Sequence, residues 1–506
     1  MRITNNIMLN TQKGNINANK ILMDAINTQM STQKKISKPS DDPIVAVRSL
    51  RLRANYAELT QYTERNIEDG LSWMDVTESA MENMRAIIKE MYANFIQGDV
   101  DYIDTAQRGQ ILENLEASME RFYAEGNSSY AGRTLFTGYK TDSDFLYKTN
   151  SKDHYNITET FSASQINTRD YVSGCVDKTN VTVLDPKDFP QTNTVKTFNL
   201  TYTGVDTIQS ITYYADTDGD GVGEEFTITP TVYSLNDIDP TDPTSDPYLS
   251  VSSATGANIN SIVYVKETGE LLIGRELADQ LTTENISVNY DKEGFQKGDI
   301  NPVMYFDCRL MKENYDANDP TTYIDYKKER QDIEYNVGFN QKIKVNTEGS
   351  DVLLLDVKKE IANLRDAITS LDEAEKKKSD IEAMLADSRY SDKKDELNSM
   401  LEAVNKEIDL KNARMVNLFK KGVGSMQAYE DHVSTQITDM GNRYSQLEMI
   451  KTRMQQQQTN YKELMTNNEN RELSDILLDY TSINYSFNLA LQATGSISKL
   501  SLLNYI

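Results

Sequence analysis

The sequence has little cysteine and histidine, and it lacks the short motifs on which many enzymes depend. Its two cysteines, Cys175 and Cys308, are too far apart to form a metal or redox motif, so they are either disulfide partners or two separate thiols. The two histidines, His154 and His432, also stand apart. There is no HExxH sequence, no glycine-rich phosphate loop, and no serine or cysteine in a nucleophile motif. We therefore expect no enzymatic activity, and we predict no catalytic and no cofactor-binding residues.

The chain also lacks an excess of positive charge and a long apolar run. Its 53 basic and 78 acidic residues give a formal charge of −25, which repels nucleic acid and anionic lipid. No run approaches the roughly 18 apolar residues of a membrane span, and the opening MRITNNIMLN has no apolar core of signal-peptide length. We predict no nucleic-acid partner and no membrane partner. Export, if it occurs, would follow a route that reads no cleavable signal.

Proline is missing from long stretches at both ends of the chain. All ten prolines lie between Pro39 and Pro320, so the last 186 residues contain none, as long helices require. Residues 44–138 are also free of proline. Residues 142–332, in contrast, are rich in Thr, Asp, Asn, Tyr and Val, with alternating polarity and most of the proline. The pattern predicts an α+β fold, in which N- and C-terminal arms form a long antiparallel helical bundle or coiled-coil rod and a β-rich domain is inserted in the middle.

Six segments follow from these changes in composition. The expected segments are an N-terminal assembly helix that is disordered in the monomer, the N-terminal arm of the helical rod, and a variable β-rich insert. After these come a β-hairpin, the C-terminal arm of the rod and a C-terminal assembly helix. In chain order their bounds are 1–40, 41–141, 142–332, 333–350, 351–472 and 473–506.

The C-terminal segment carries an apolar stripe that needs a partner. From Leu473 to Ile497, steps of three and four residues alternate and only Thr494 interrupts the apolar character, a period of 3.5 residues that holds one stripe against another helix. A weaker helix around Ile21 to Met30 is a candidate partner. The stripe serves either an intramolecular core or a contact between subunits. The predicted assembly interface comprises Ile21, Leu22, Ile26, Met30, Leu473, Ile476, Tyr480, Ile483, Phe487, Leu491, Ile497, Leu500 and Leu503.

The N-terminal arm contains a clear helix start. In the sequence PSDDP, Asp42 suits an N-cap and Pro43 suits the first helical position. The helix that begins there should continue to about Gln97 and end at Gly98. Before Gly98 this stretch contains no further proline and only one glycine, Gly70. The first apolar stripe on this helix consists of Val47, Leu50 and Ala54.

The C-terminal arm begins with alternating polarity and then becomes helical. Residues 332–349 predict a hairpin that turns near Gly338. Helical spacing resumes at Asp351 and continues past Leu371. The charged run EAEKKKSD, residues 373–380, is predicted to interrupt that helix, either as a loop or as a solvated helix face.

One acidic stretch of the insert has the opening of a calcium loop. Asp216, Asp218 and Asp220 occupy alternate positions and Glu224 follows at the ninth position, which would supply the hard oxygen ligands that calcium prefers. Thr227 stands at the twelfth position, where a calcium loop has a bidentate carboxylate. The stretch is either a weak calcium site or an acidic β-turn without metal. No other cofactor is predicted.

Several stretches resemble the flagellin superfamily, in the order in which that family has them. Each is weak alone, but together they extend over about half the chain. One departure is Gln33, where the family commonly has glycine. PSDDP, FTGYKT and the ending favour the type that joins the flagellar hook to its filament. The similar stretches are MRITNNIM, MSTQKKISKPSDDPIVA, RNIEDGLSWMDVTESAM, GRTLFTGYKT, VNTEGSDV, GNRYSQLEMIKTRM, ELSDILLDY and SLLNYI.

The resemblance implies a structural subunit of the bacterial flagellum. Such a protein would be secreted through the flagellar type III export apparatus, with an export chaperone as a partner, and would be extracellular. Its terminal helices would pack coaxially into a homo-oligomeric ring at the hook tip. The ring would contact a neighbouring hook-associated protein and flagellin, and it would template flagellin polymerisation. The alternatives are a filament flagellin or another coiled-coil surface protein or adhesin.

Overall fold

The chain forms two compact units in a computed structural model. Unit 1 comprises Met1–Ser72, Glu334–Ile343 and Arg443–Ile506, and unit 2 comprises Trp73–Ile333 and Lys344–Asn442. The α+β prediction is confirmed, because long helices from both ends of the chain pack together and most strands come from its middle. The structure describes residues 5–503 except for 101–102, 175, 179, 186–188, 206, 217–222, 239–244 and 254–255.

Long helices dominate both ends of the described chain. The helices are α1 (Asn5–Thr32), α2 (Pro43–Gln61), α3 (Ile67–Gly98), α4 (Thr105–Ala124), α5 (Pro247–Ser252), α6 (Arg275–Gln280), α7 (Asp356–Ala386), α8 (Lys394–Glu469) and α9 (Leu473–Leu503). None of the described helices has the length and the apolar character that a membrane crossing requires.

The strands lie between α4 and α7. They are β1 (Ser129–Tyr130), β2 (Arg133–Thr134), β3 (Ser151–Phe161), β4 (Asn167–Val172), β5 (Thr192–Asn199), β6 (Thr207–Ala215), β7 (Glu224–Ile228), β8 (Thr231–Tyr233), β9 (Ile262–Val265), β10 (Glu270–Ile273), β11 (Ile286–Phe295), β12 (Asp307–Met311), β13 (Tyr323–Tyr326), β14 (Glu334–Gly338) and β15 (Gln341–Lys344). The pairing of β14 with β15 confirms the predicted hairpin near Gly338.

The predicted start of the first arm is also confirmed. Pro43 is the first residue of α2, and Asp42 is its N-cap. The carboxylate of Asp42 accepts hydrogen bonds from the backbone N–H groups of Ile44 at 2.9 Å and Val45 at 3.2 Å. These bonds satisfy donors that have no partner within the helix. A π-helical turn over Tyr62–Asn66 joins α2 to α3.

The charged run of the second arm does not interrupt its helix and takes the second of its two predicted forms, a solvated helix face. α7 begins at Asp356, five residues later than predicted, and continues through residues 373–380 to Ala386. Ala374 and Ile381 within and beside that charged run are buried, while most of the charged residues around them are exposed. The charges therefore form the solvated face of an amphipathic helix. α8 then extends for 76 residues without a break.

Paired phenylalanines and glycines hold α3 against α8 in unit 2. The rings of Phe95 and Phe419 meet edge to face with centroids 6.0 Å apart. A Cβ atom on Gly422 would lie 2.2 Å from Cε1 of Phe95, and one on Gly98 would lie 2.1 Å from Cε1 of Phe419. Each ring therefore occupies the space that a side chain on the opposite helix would need. This close approach explains why both helices carry glycine three residues after phenylalanine.

The strands of the insert form two sheets around one shared core. The larger sheet has the order β13-β12-β3-β11-β6-β7, and the smaller sheet has the order β4-β5-β10-β9-β8. Ile157 and Val288 of the larger sheet belong to the same buried cluster as Phe198 and Leu271 of the smaller sheet. The residues predicted as a β-rich insert thus bury their apolar faces against each other, as two packed sheets do.

Candidate assembly surface

In unit 1, the first and last helices pair along their lengths. α1 packs against α9, and Lys34 forms a β-bridge with Asn470 where α1 ends and α9 begins, so the two helices are antiparallel. The covered residues of α9 repeat every three or four positions, as the sequence predicts. On α9 they are Ile476, Tyr480, Ile483, Phe487, Ala490, Thr494 and Ile497, and on α1 they include Leu9, Ile16, Met23, Ile26 and Met30.

The structure divides the predicted interface residues between two environments. Seven lie on the covered stripes of the two helices: Ile26, Met30, Ile476, Tyr480, Ile483, Phe487 and Ile497. Four are exposed: Ile21, Leu22, Leu473 and Leu491. The side chains of Leu500 and Leu503 lie outside the described part of the structure. The stripe therefore finds a partner within the chain, and its role between subunits stays a prediction.

The face of α9 opposite the covered stripe is also apolar, and nothing in the described chain covers it. It presents Leu478, which is 68% exposed, together with Tyr485 and Leu489. Asp479 and Lys499 bound a stretch of α9 that contains no charged residue. Large apolar side chains grouped on an exposed face are typical of a surface that contacts another molecule. The sequence analysis missed these three residues, although the absence of charge over this stretch is a signal that could have found them.

α2 has an uncovered apolar face of its own. The predicted stripe of Val47, Leu50 and Ala54 is exposed, as is Ile44. The face of α2 that packs inward instead carries smaller or isolated residues, namely Ala46, Ser49 and Leu59. The C-terminal part of α8 contacts α2 through polar groups: Gln458 donates to Thr60 at 2.8 Å, and Asn468 donates to the carbonyl of Val45 at 3.2 Å. The apolar stripe that the spacing identifies on α2 is therefore not the face that packs against α8.

A polar clasp joins the turn after α1 to the turn before α9. Glu469, which is buried, accepts hydrogen bonds from Lys34 at 2.8 Å, from Arg53 at 2.6 Å and from Ser49. These hydrogen bonds hold the pKa of Glu469 well below its usual range. Gln33 lies in the same turn with φ of 55°, in the left-handed region that favours glycine. This geometry explains why glycine is common at this position in the family that the sequence resembles.

The hairpin of β14 and β15 carries an exposed aromatic side chain in unit 1. Phe339 at its tip is 85% exposed. It borders a groove of about 580 Å³ whose walls come from α2, the hairpin and α8, including Tyr62, Tyr461 and Leu464. Tyr335 on β14 donates to Asp69, and Asn66 donates to the carbonyl of Asn336 at 2.8 Å, so the hairpin is fixed to the chain beyond α2.

The predicted calcium loop and the cysteine pair are only partly described. Asp218, Asp220 and Cys175 lie outside the described residues, so both predictions stay open. Asp216 and Glu224 lie on either side of residues 217–222, which are outside the described residues. Within the described residues, no group of three or more His, Cys, Asp or Glu side chains is arranged to hold a metal ion. Burial raises the pKa of the Cys308 thiol to about 12, which keeps that thiol protonated and unreactive.

The two units differ in charge as well as in exposed apolar surface. Unit 1 contains 17 basic and 14 acidic residues, a formal charge of +3. Unit 2 contains 36 basic and 64 acidic residues, a formal charge of −28. Copies of unit 1 can therefore approach one another with little electrostatic cost, whereas copies of unit 2 repel one another. Exposed apolar faces combined with low charge make unit 1 the candidate assembly surface.

Comparison with known proteins shows what the first arm of the chain is similar to. Residues 3–141 match the model of the bacterial flagellin N-terminal helical region. The first arm of the chain is therefore similar to the flagellin N-terminal region, as the sequence motifs predict. The resemblance to a hook-associated protein is also confirmed, because flagellar hook-associated protein 3 of Salmonella typhimurium is 24% identical over 143 residues. The aligned stretch covers 28% of this chain and 45% of that relative, which is less than half its length.

Solved structures of the same type are similar over most of the chain, but loosely. A Vibrio parahaemolyticus chain described as a flagellar hook-associated protein is 9% identical, covers 85% of this chain and 100% of its own, and superposes with a TM-score of 0.34. Flagellar hook-associated protein 3 of Legionella pneumophila is also 9% identical, covers 82% of this chain and 96% of its own, and gives a TM-score of 0.27. Similarity at this level adds nothing to the argument.

Proposed function

We propose that this protein is a structural subunit of the bacterial flagellum that assembles into a ring between the hook and the filament. One observation carries the proposal: the terminal helices α1 and α9 bury one stripe against each other and leave further apolar faces exposed. The match of residues 3–141 to the flagellin N-terminal region and the resemblance to hook-associated protein 3 support the flagellar setting. The chain acts through these surfaces and not as an enzyme.

The exposed apolar side chains of α9 provide the driving force for assembly. Six of its large hydrophobic residues are at least two-fifths exposed: Leu473, Leu477, Leu478, Tyr485, Leu489 and Leu491. Complete burial of one such side chain contributes about 1.5–3 kcal/mol. Because each is already partly covered, burial in a ring would contribute on the order of 5–10 kcal/mol per subunit before the entropic cost of association. This is sufficient to hold subunits together when several neighbours share the surface.

The resemblance supplies the proposed partners. Copies of the same chain form the ring, a hook-associated protein lies on one side, and flagellin lies on the other and polymerises on the ring. We infer that the chain reaches this position through the flagellar export apparatus with the help of a chaperone, and that it is extracellular. A filament flagellin is the second candidate, because the flagellin N-terminal region is common to both types.

Deletion of the gene tests the proposal. Cells without the protein should keep their hooks, lose their filaments and release flagellin into the medium. In sheared flagella of the parent strain the protein should be a trace component. Cells that keep normal filaments after the deletion would contradict the junction function, and an abundance equal to that of the main filament protein would favour a filament flagellin.

A further inference from the structure

Unit 2 contains a buried network of ion pairs between the smaller sheet and the helices. Arg169 on β4, whose side chain is nine-tenths buried, pairs with Glu270 on β10 and with Asp366 on α7. Arg414 on α8 also reaches Asp366, with a distance of 3.2 Å from Nη2 to Oδ2. Two guanidinium groups thus share one carboxylate in a place where water is largely excluded. This part of the molecule has no role in the proposed assembly.

A cavity of about 140 Å³ adjoins this network. Its lining includes three cations, Arg169, Arg414 and Lys421, and two carboxylates, Asp170 and Glu270. Asparagine amides from strands and helices complete the lining. Residues from β4, β5, β10, α7 and α8 all contribute to it, so the cavity is fixed by elements that are themselves packed.

Several acceptors around the cavity already accept hydrogen bonds from protein donors. Oε1 of Glu270 accepts from the hydroxyl of Thr197 at 3.2 Å, and Oε2 accepts from the hydroxyl of Tyr248 at 2.7 Å and from Arg169. The amide oxygen of Asn167 accepts from Lys421 at 2.9 Å. Asp366, behind the cavity, accepts from both arginines.

One buried donor beside the cavity, Nε of Arg169, has no acceptor in the part of the chain that the structure describes. Among the described residues, Arg414 donates only from Nη2, and the side-chain amides of Asn363 and Asn417 donate to no protein acceptor. A buried donor without a partner costs about 1–3 kcal/mol, so a site of this kind favours a ligand that only accepts hydrogen bonds.

We propose that this cavity binds a small oxyanion, with Arg414 and the amide of Asn417 donating to it. A carboxylate and a phosphate share the required chemistry, because both present several acceptor oxygens and negative charge to guanidinium groups. Burial and the neighbouring Arg169 lower the pKa of Arg414, so both disfavour the charged form of its guanidinium. An anion bound beside Arg414 would favour the charged form.

Calorimetric titration of the full-length protein tests the proposal. Sodium acetate, sodium phosphate and sodium sulfate are each added at up to about 10 mM, with sodium chloride at matched ionic strength as the reference. We expect saturable heat from at least one oxyanion and none from chloride. The ranking of the three probes then identifies a carboxylate or a tetrahedral anion as the ligand class.

Two variants locate the binding. Asn417→Asp places a negative charge in the lining at an exposed position and should weaken oxyanion binding about ten-fold or more. Asn442→Asp makes the same change at an exposed position of α8 outside the cavity lining and should leave the affinity unchanged. Arg414→Gln should abolish the saturable heat. Absence of saturable heat in the native protein, or equal weakening by the two aspartate variants, would overturn the proposal.

Discussion

Units 1 and 2 differ in how many large apolar side chains they leave exposed. Of the 22 large hydrophobic side chains that are exposed in the described residues, 16 belong to unit 1, although it is less than half the size of unit 2. Unit 2 closes its core within one chain and carries nearly all the negative charge. The difference supports our proposal that other chains cover the exposed apolar faces of unit 1, whereas like charge opposes association through unit 2.

A charge on the uncovered face of α9 should have the largest effect. Leu478→Glu would place a carboxylate where the proposed ring buries an apolar side chain, and an unpaired buried charge costs several kcal/mol. We expect cells that carry only this variant to lose more than about nine-tenths of their filaments. The monomer should melt as the native chain does, because Leu478 is exposed there. Electron microscopy and thermal denaturation measure the two effects.

The same substitution in unit 2 provides the matched control. Val232 on β8 is 57% exposed, close to the value for Leu478, but it lies in the unit that we expect to remain free of contacts. Val232→Glu should leave filament number unchanged. If both variants behave alike, the contrast between the two units does not reflect assembly.

The closed core of unit 2 predicts the next largest effect. Gly422→Ala would place a methyl group 2.2 Å from the ring of Phe95 and should destabilise the protein by about 2–3 kcal/mol. A Cβ atom on Gly424, two residues later in α8, would meet no other atom within 4 Å, so Gly424→Ala should be neutral or should stabilise the helix by up to about 1 kcal/mol. Urea denaturation gives both values. Equal effects would mean that helix propensity, and not the contact with Phe95, determines the outcome.

The sequence predicted well which residues of α9 face α1, because the apolar stripe of α9 repeats along a single helix. Ile476, Ile483 and Phe487 lie where the 3.5-residue spacing places them. The same approach failed for Val47 and Leu50, since spacing identifies an apolar face but does not say what covers it. α8 packs against the other face of α2, through polar groups that leave no periodic signal.

For the insert, the sequence predicted a β-rich domain but not the order in which its strands pair. Its composition indicates strands, but the parallel pairing of β8 with β9 and the insertion of β10 between β5 and β9 depend on contacts between distant segments. The donor-rich cavity was missed for the same reason: Arg169, Glu270 and Arg414 are brought together by the fold and have no common motif. In α7, charge density masked the buried positions Ala374 and Ile381.

A buried carboxylate of unit 2 should make stability fall as pH rises. Glu360 on α7 accepts from the hydroxyl of Ser425 at 2.5 Å, and its other oxygen has no partner among the described residues. Burial raises the pKa of Glu360 to about 7, above the value of about 4.3 expected for an unfolded chain. The protonated form therefore contributes stability that is complete below pH 4 and is lost as the pH rises through 7.

The variant Glu360→Gln measures this contribution. Because glutamine does not ionise, the variant should gain about 1–2 kcal/mol relative to the native protein between pH 5 and pH 8. Glu373→Gln, at an exposed position of the same helix, should show no such gain. Urea denaturation at the two pH values gives the comparison. A native protein whose stability does not change relative to the variant would show that Glu360 is ionised without cost.

The clasp of unit 1 predicts the opposite dependence on pH and the smallest effect. Hydrogen bonds from Arg53, Lys34 and Ser49 lower the pKa of Glu469, so its contribution to stability is complete above the unfolded value of about 4.3 and is lost as the pH falls below it. Glu469→Gln should cost about 1 kcal/mol at pH 7, and its difference from the native protein should shrink as the pH falls toward 3.

The effect should be local, because the clasp joins the turns that carry α1 and α9. Amide hydrogen exchange, compared between native and variant at the same pH, should show faster exchange in these two helices and no change in the sheets of unit 2. Glu463→Gln, an exposed position on α8, is the control. If the difference persists undiminished at pH 3, the ionised carboxylate is not what holds the turns together. If it spreads to unit 2, the two units do not open independently, and the division between an open and a closed part of the molecule would need revision.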